Sequence, residues 1–233
     1  MQPALMLSKE APMTLRFALY DLDNTLYADS SGLMEQINDR IGLFFQEHLH
    51  LAGEEAQRLR QHYYEQYGTT LAGLQKHHGV VETEEYLAFI HQLTLDVLLP
   101  DDGTLHVALQ ALPLQKVIFT NSPREHAVRV LNRLGLHDHF AQIFDIRAFE
   151  FLAKPDFSAY HTVLTALNAQ GHECVLFEDT MANLAPAKSL GMTTVLIAPA
   201  DTQHPFADII VPNVLAGTLA IHERCGVPLD LAA

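Results

Sequence analysis

Residues 15–25 read Leu-Arg-Phe-Ala-Leu-Tyr-Asp-Leu-Asp-Asn-Thr. The mostly apolar run 15–20 stops abruptly at an acidic turn, the pattern of a strand buried in a parallel sheet. Asp21 and Asp23 fall just beyond it. Open parallel sheets take their ligands in the crevice outside the carboxyl ends of their strands. Two carboxylates two residues apart at such a place can converge on one hard cation. Mg²⁺ suits such a site, because it takes few carboxylates, some water and the phosphate oxygens of a substrate. A carboxylate there can also attack phosphorus and form an aspartyl-phosphate. Taken alone, the motif describes a loop-capping Asp23 and a solvated Asp21 equally well, so the rest of the chain has to decide.

Similar apolar runs recur at 116–119 (KVIF), 174–177 (CVLF), 193–197 (TTVLI) and 208–211 (DIIV). Helical patterns separate them. One runs from Pro123 to Leu134, with Ser122 as expected N-cap, Pro123 at the first helical position, Glu125 completing a capping box and Gly135 closing the end. Another runs from about Asp156 to Ala169, and a third ends at Gly191. Strands alternating with helices predict an α/β fold with a doubly wound, Rossmann-like parallel sheet.

Residues 30–100 break this rhythm and hold no strand pattern. Met34, Ile37, Ile41, Phe44 and Phe45 mark one amphipathic helix. Residues 54–66 and 83–93 suggest two more, the latter with Thr83 as cap. A crossover between parallel strands needs only a dozen or so residues. The excess predicts a small all-helical cap domain, 30–100, inserted into a core formed by 1–29 and 101–233.

Three further signals fall at strand ends or helix entries. Thr120-Asn121 follows the KVIF strand, where a hydroxyl and a helix N-terminus can hold a phosphate oxygen. Lys154-Pro155 precedes the helix near 156, where an ammonium would neutralise phosphate and nucleophile together. Glu178-Asp179 follows the CVLF strand. Two acidic pairs facing one crevice repel unless a cation lies between them. Thr120 to Lys154 spans 34 residues and Lys154 to Asp179 spans 25, each about one βα unit.

The motifs DLDNTLY, VIFTN, KP and FEDT, in that order, resemble those of the haloacid dehalogenase-like hydrolase superfamily. The resemblance covers nearly the whole chain. It implies Asp21 as nucleophile and Asp23 as general acid and base. Thr120 and Lys154 would hold the transferring phosphoryl group, with Asn121 beside them at the substrate. Mg²⁺ would be bound by Asp21, Asp179 and the backbone carbonyl of Asp23, with Glu178 acting through a water. Dehalogenases of this fold lack an acid at the position of Asp23, because halide leaves without a proton; an alkoxide benefits from one. The stretch from Glu54 through Tyr63, Tyr64, Tyr67, Thr69 and Thr70 to Leu74, with FEDTMANL at 177–184, resembles the pyrimidine 5'-nucleotidase subfamily. That resemblance implies a nucleoside monophosphate as substrate, with Tyr67, Thr69 and Thr70 as cap contacts. It departs from the pattern at Ser122 and at Ala72, where a basic residue is common. A sugar-phosphate or phosphoglycolate phosphatase, or a phosphomutase, would share the same motifs. A non-catalytic phospho-receiver would share the aspartate, the hydroxyl, the lysine and the metal, but not a cap of about 70 residues.

Composition narrows the classes. With 28 acidic and 14 basic side chains, the formal charge of -14 disfavours a nucleic-acid polymer as partner. The two cysteines, Cys174 and Cys225, make no disulfide framework. Residues 1–13 lack the apolar core of a signal peptide, and no run is long enough to span a membrane. A cytoplasmic location is expected. The 14 histidines include the pairs His48/His50, His77-His78 and His137/His139. No cysteine partner and no metal-binding helix motif accompanies them, so they read as solvated or locally bonded side chains rather than zinc ligands.

Overall fold

The computed structural model describes residues 15–78, 82–95, 99, 103–199, 201–227 and 229. Among the described residues six strands form one sheet: β1 (Phe17–Tyr20), β2 (Gln115–Phe119), β3 (Phe140–Phe144), β4 (Cys174–Glu178), β5 (Thr193–Ile197) and β6 (Ile209–Val211). All pair in parallel, in the order β3-β2-β1-β4-β5-β6. The chain builds outward from β1 to one side, then returns to pair β4 against its other edge. This reversal opens a crevice at the carboxyl end of β1.

Side chains alternate across the sheet with a period of two. Phe17 and Leu19 of β1 enter one core and Ala18 and Tyr20 the other. The first core is closed by α7 (Phe157–Ala166) and α8 (Met181–Ser189), through Tyr160, Val163, Leu184 and Ala187. The second is closed by α5 (Gly103–Ala111), α6 (Arg124–Arg133) and α9 (Val214–Arg224), through Leu109, Val130, Leu131 and Ile221. Tyr20 stacks on Phe177 at 4.2 Å and bonds Thr218 through its hydroxyl at 3.2 Å, so its buried polar tip is satisfied.

Among the described residues, four α-helices lie between β1 and α5 in the chain: α1 (Leu33–Leu49), α2 (Gly53–Tyr67), α3 (Thr70–His78) and α4 (Thr83–Ile90). α1 buries Leu33, Ile37, Ile41, Phe44 and Phe45, the expected stripe except that Met34 is only half-buried. Phe44 meets Tyr86 of α4 edge-on at 5.0 Å. α2 and α3 pack closely because Gly73 has no side chain; a Cβ there would lie 2.2 Å from the Tyr63 ring. The expected boundary at 100–101 and the opening residues 1–13 lie outside the described residues.

The structure differs from the sequence reading in particular places. β3, α3, α5 and α9 were not expected as elements. α6 begins at Arg124 with Pro123 as N-cap, and Ser122 does not cap it. The Asp145 carboxylate, arriving at the end of β3, accepts the Arg124 N–H at 3.0 Å instead. α4 takes Glu82 rather than Thr83 as N-cap, and the Thr83 hydroxyl accepts a bond from Gln75 at 2.7 Å. Among the described residues no helix is long and apolar enough to cross a membrane.

Candidate active site

The acidic turn after β1 is shaped by its own sequence. Leu22 is fully buried, and its carbonyl accepts the N–H of Leu26 at 3.0 Å. Asn24 takes a left-handed conformation (φ 58°), which asparagine tolerates better than most residues. With Leu22 packed into the core, Asp21 and Asp23 on either side of it line the cleft. Asp21 also donates its backbone N–H to Phe177 of β4 at 3.0 Å, which locks the turn to the neighbouring strand.

Lys154 is 1% exposed, and its ammonium sits among three acceptors: Asp21 Oδ1 at 2.8 Å, Glu178 Oε2 at 2.7 Å and the Phe119 carbonyl at 2.8 Å. Burial works against its charge, but Asp21 and Glu178 outweigh burial and hold its pKa above the ordinary lysine range. Asn121 fixes the loop that carries it. The Asn121 amide donates to the Lys154 carbonyl at 3.0 Å and accepts the Lys154 N–H at 2.9 Å. Its side chain is therefore engaged in positioning Lys154, although the residue lines the cleft as expected for substrate contact. Thr120 is buried; its N–H goes to the Phe144 carbonyl at 3.0 Å, and its hydroxyl oxygen accepts the Ser122 N–H at 3.0 Å. That oxygen keeps its own proton to give to a ligand.

Asp21, Glu178 and Asp179 each offer a carboxylate oxygen within 4.8 Å of the others. Burial first, and then repulsion from Glu178, raises the pKa of Asp21 well above the carboxylate range against the pull of Lys154. The same two causes push Asp179 up to about 7. Three carboxylates face one ammonium, which leaves the equivalent of two negative charges unmatched. A divalent cation fits this donor set in charge and in ligand chemistry. Glu178 has both oxygens occupied, one by Lys154 and one by the Thr180 N–H at 3.1 Å.

Asp23 occupies a different setting. Its Oδ1 accepts from the Tyr27 hydroxyl at 2.6 Å and lies 2.9 Å from His126 Nε2, and its Oδ2 accepts from the Ser122 hydroxyl at 2.5 Å. Burial raises its pKa, but His126, Ser122 and Tyr27 together outweigh burial and hold the carboxyl well below the ordinary range. None of these three residues was singled out in the sequence as a partner of Asp23. Tyr27, four positions on from Asp23, was the readable one.

The cleft at the site has a volume of about 1170 Å³. Asp21, Asp23, Thr120, Asn121, Lys154, Glu178 and Asp179 line it together with Tyr67, Thr69 and Thr70, from the end of α2 and the start of α3. Thr69 accepts the Ala72 N–H at 3.1 Å at the start of α3, and the Tyr67 hydroxyl pairs with His77 at 2.7 Å. Tyr64, half-exposed, also lines the cleft, and partial desolvation, then the charge of Asp179, raises its pKa. Tyr63 is buried against Gly73 and does not line the cleft.

The family model described as haloacid dehalogenase-like hydrolase matches residues 16–191. Phosphate metabolism protein 8 of Saccharomyces cerevisiae is 30% identical over 208 residues, covering 83% of this chain and 65% of that protein. The chain thus spans about two thirds of that relative's length. Among solved structures, a HAD phosphatase from Thermococcus onnurineus superposes with a TM-score of 0.60 at 20% identity, covering 89% of this chain and 97% of the other. An L-2-haloacid dehalogenase from Xanthobacter autotrophicus with chloropropionic acid covalently bound gives 0.58 at 12%, covering 90% and 99%. At such identities these likenesses concern the fold, which hosts more than one chemistry.

Proposed function

Because the chain belongs to the haloacid dehalogenase-like hydrolase family, we propose that it is a Mg²⁺-dependent phosphomonoesterase that acts on nucleoside 5'-monophosphates, pyrimidine nucleotides first. The observation that carries the phosphatase reading is the pairing of Asp21, held 2.8 Å from the Lys154 ammonium, with a second acid, Asp23, set apart in its own bed of donors. A halide leaving group has no use for that second acid.

An Asp21 carboxylate oxygen attacks phosphorus and the ester P–O bond breaks. Asp23 gives its proton to the departing alcohol oxygen. Water then attacks the phosphorus of the aspartyl-phosphate, Asp23 takes a proton from that water, and inorganic phosphate leaves with Asp21 restored. The donors around Asp23 favour its carboxylate, the form that receives the proton from water. The negative charge of an arriving phosphoryl group raises its proton affinity for the first step. Thr120 holds the transferring group through its hydroxyl proton, and Lys154 does so by exchanging one of its three bonds, to Asp21, Glu178 and the Phe119 carbonyl, for a phosphoryl oxygen. Asp21, Asp179 and the Asp23 carbonyl would hold Mg²⁺, which when bound supplies charge neutralisation between nucleophile and phosphate. Helices α1–α4 act as a cap that reads the leaving group, with Tyr67, Thr69 and Thr70 at its inner wall.

A phosphate-release screen over nucleoside monophosphates and sugar phosphates, with Mg²⁺ present, tests this. Preference for UMP or CMP is expected. Preference for a short sugar phosphate would transfer the reading to the sugar-phosphatase alternative, and no release from any ester would reject phosphatase chemistry.

A further inference from the structure

We infer that His126 is a positioning residue for Asp23, and that with Tyr27 it fills one carboxylate oxygen so that protons pass to and from the leaving group through the other. The inference rests on the general acid and base reading of Asp23. It follows from counting lone pairs. A carboxylate oxygen has two acceptor sites. Oδ1 of Asp23 meets both the Tyr27 hydroxyl at 2.6 Å and His126 Nε2 at 2.9 Å, whereas among the described residues Oδ2 meets only the Ser122 hydroxyl at 2.5 Å. One acceptor site remains, on Oδ2, and Asp23 and Ser122 both line the cleft.

His126 is built for this contact. Its side chain is wholly buried, and Asp23 is its one hydrogen-bond partner among the described residues, since Nδ1 has none. An apolar side chain would fill the same space without a polar atom left unmatched, so the imidazole costs stability and its return is the bond to Asp23. The ring is also backed from the cap side. His91, just after α4, packs against it at 4.5 Å between ring centroids, and Arg129 of α6 holds the carbonyls of His91 (2.8 Å) and Leu93. His126 cannot swing away from Asp23 without displacing that segment.

The test compares kcat/KM for 4-nitrophenyl phosphate and phenyl phosphate with Mg²⁺ present. This parameter reports the steps up to phosphoryl transfer, and unsubstituted phenol is much the poorer leaving group, with a pKa of about 10 by analogy with tyrosine. Asp23→Asn serves as the reference. His126→Ala is expected to lose about tenfold more activity on phenyl phosphate than on the nitrophenyl ester. His126→Gln, which offers an amide N–H near the position of Nε2, is expected to recover most of that selective loss. Should His126→Ala fail to fold, Tyr27→Phe carries the same test, because Tyr27 fills the same oxygen: its loss is expected to reproduce the selectivity. Equal losses on both esters in these variants, while Asp23→Asn still discriminates, overturn the inference and leave the phosphatase reading standing. If Asp23→Asn itself treats the two esters alike, the general-acid reading falls and the inference with it.

Discussion

Asp179 shows what it means to set three acids against one ammonium. Its pKa is raised by burial, and then by Glu178, from 3.8 to about 7. An acid whose folded pKa is raised binds its proton more tightly in the native state, so stability falls as pH rises from the unfolded value through the folded one. Without divalent ions, the melting temperature is therefore expected to fall between about pH 4 and pH 7 by an amount worth a few kcal/mol. Thermal melts in EDTA check this. Asp179→Asn, or excess Mg²⁺, should flatten the fall; a slope unchanged by both would mean that the acid cluster is not its source. Asp21, Lys154, Glu178 and Asp179 were legible in the sequence because each sits at a strand end or helix entry, where topology alone brings residues together. His126 and Ser122 were not, because their contact with Asp23 spans 103 and 99 positions and nothing in α6 or its approach announces it.

At the level of elements, strands with an unbroken apolar run were readable, the edge strand β6 among them, and the edge strand β3 was not. Gln142 and its neighbours in Phe140–Phe144 are exposed or half-exposed, so the run lacks the continuous apolar signature of β1 or β4. The helix after β2 was placed well, but its cap was misassigned. Sequence proximity favoured Ser122, whereas the fold delivers Asp145 from the end of β3 and sends the Ser122 hydroxyl to Asp23. Asp145 also accepts the Ala148 N–H at 3.3 Å and pairs with Arg147 at 3.0 Å. Asp145→Ala is expected to lower stability by about 1–2 kcal/mol through the lost cap, read from urea midpoints. A loss below a few tenths would show that α6 does not depend on it. α3 escaped notice for another reason. It spans only nine residues and contains Gly73, which weakens a helical pattern yet is required for contact with Tyr63.

Across the whole molecule, the helices between β1 and α5 and the sheet beneath them share one cleft of about 1170 Å³. Arg147, beyond β3, ties the two sides together by pairing with Glu84 of α4. That ion pair is exposed, so it contributes little to stability. In a chain of formal charge -14, the buried ammonium of Lys154 offsets only part of the negative charge of Asp21, Glu178 and Asp179. The central claim is that Asp21 becomes the phosphoryl carrier. Its most direct test uses Asp23→Ala with 4-nitrophenyl phosphate, a substrate whose leaving group needs no acid while the second step lacks its base, so that a covalent intermediate accumulates. Mass spectrometry of the acid-quenched protein is expected to find a phosphoryl group, removable by hydroxylamine, on the peptide that contains Asp21. A burst of nitrophenolate with no phosphoryl group on Asp21, or with one on another residue, would contradict the account.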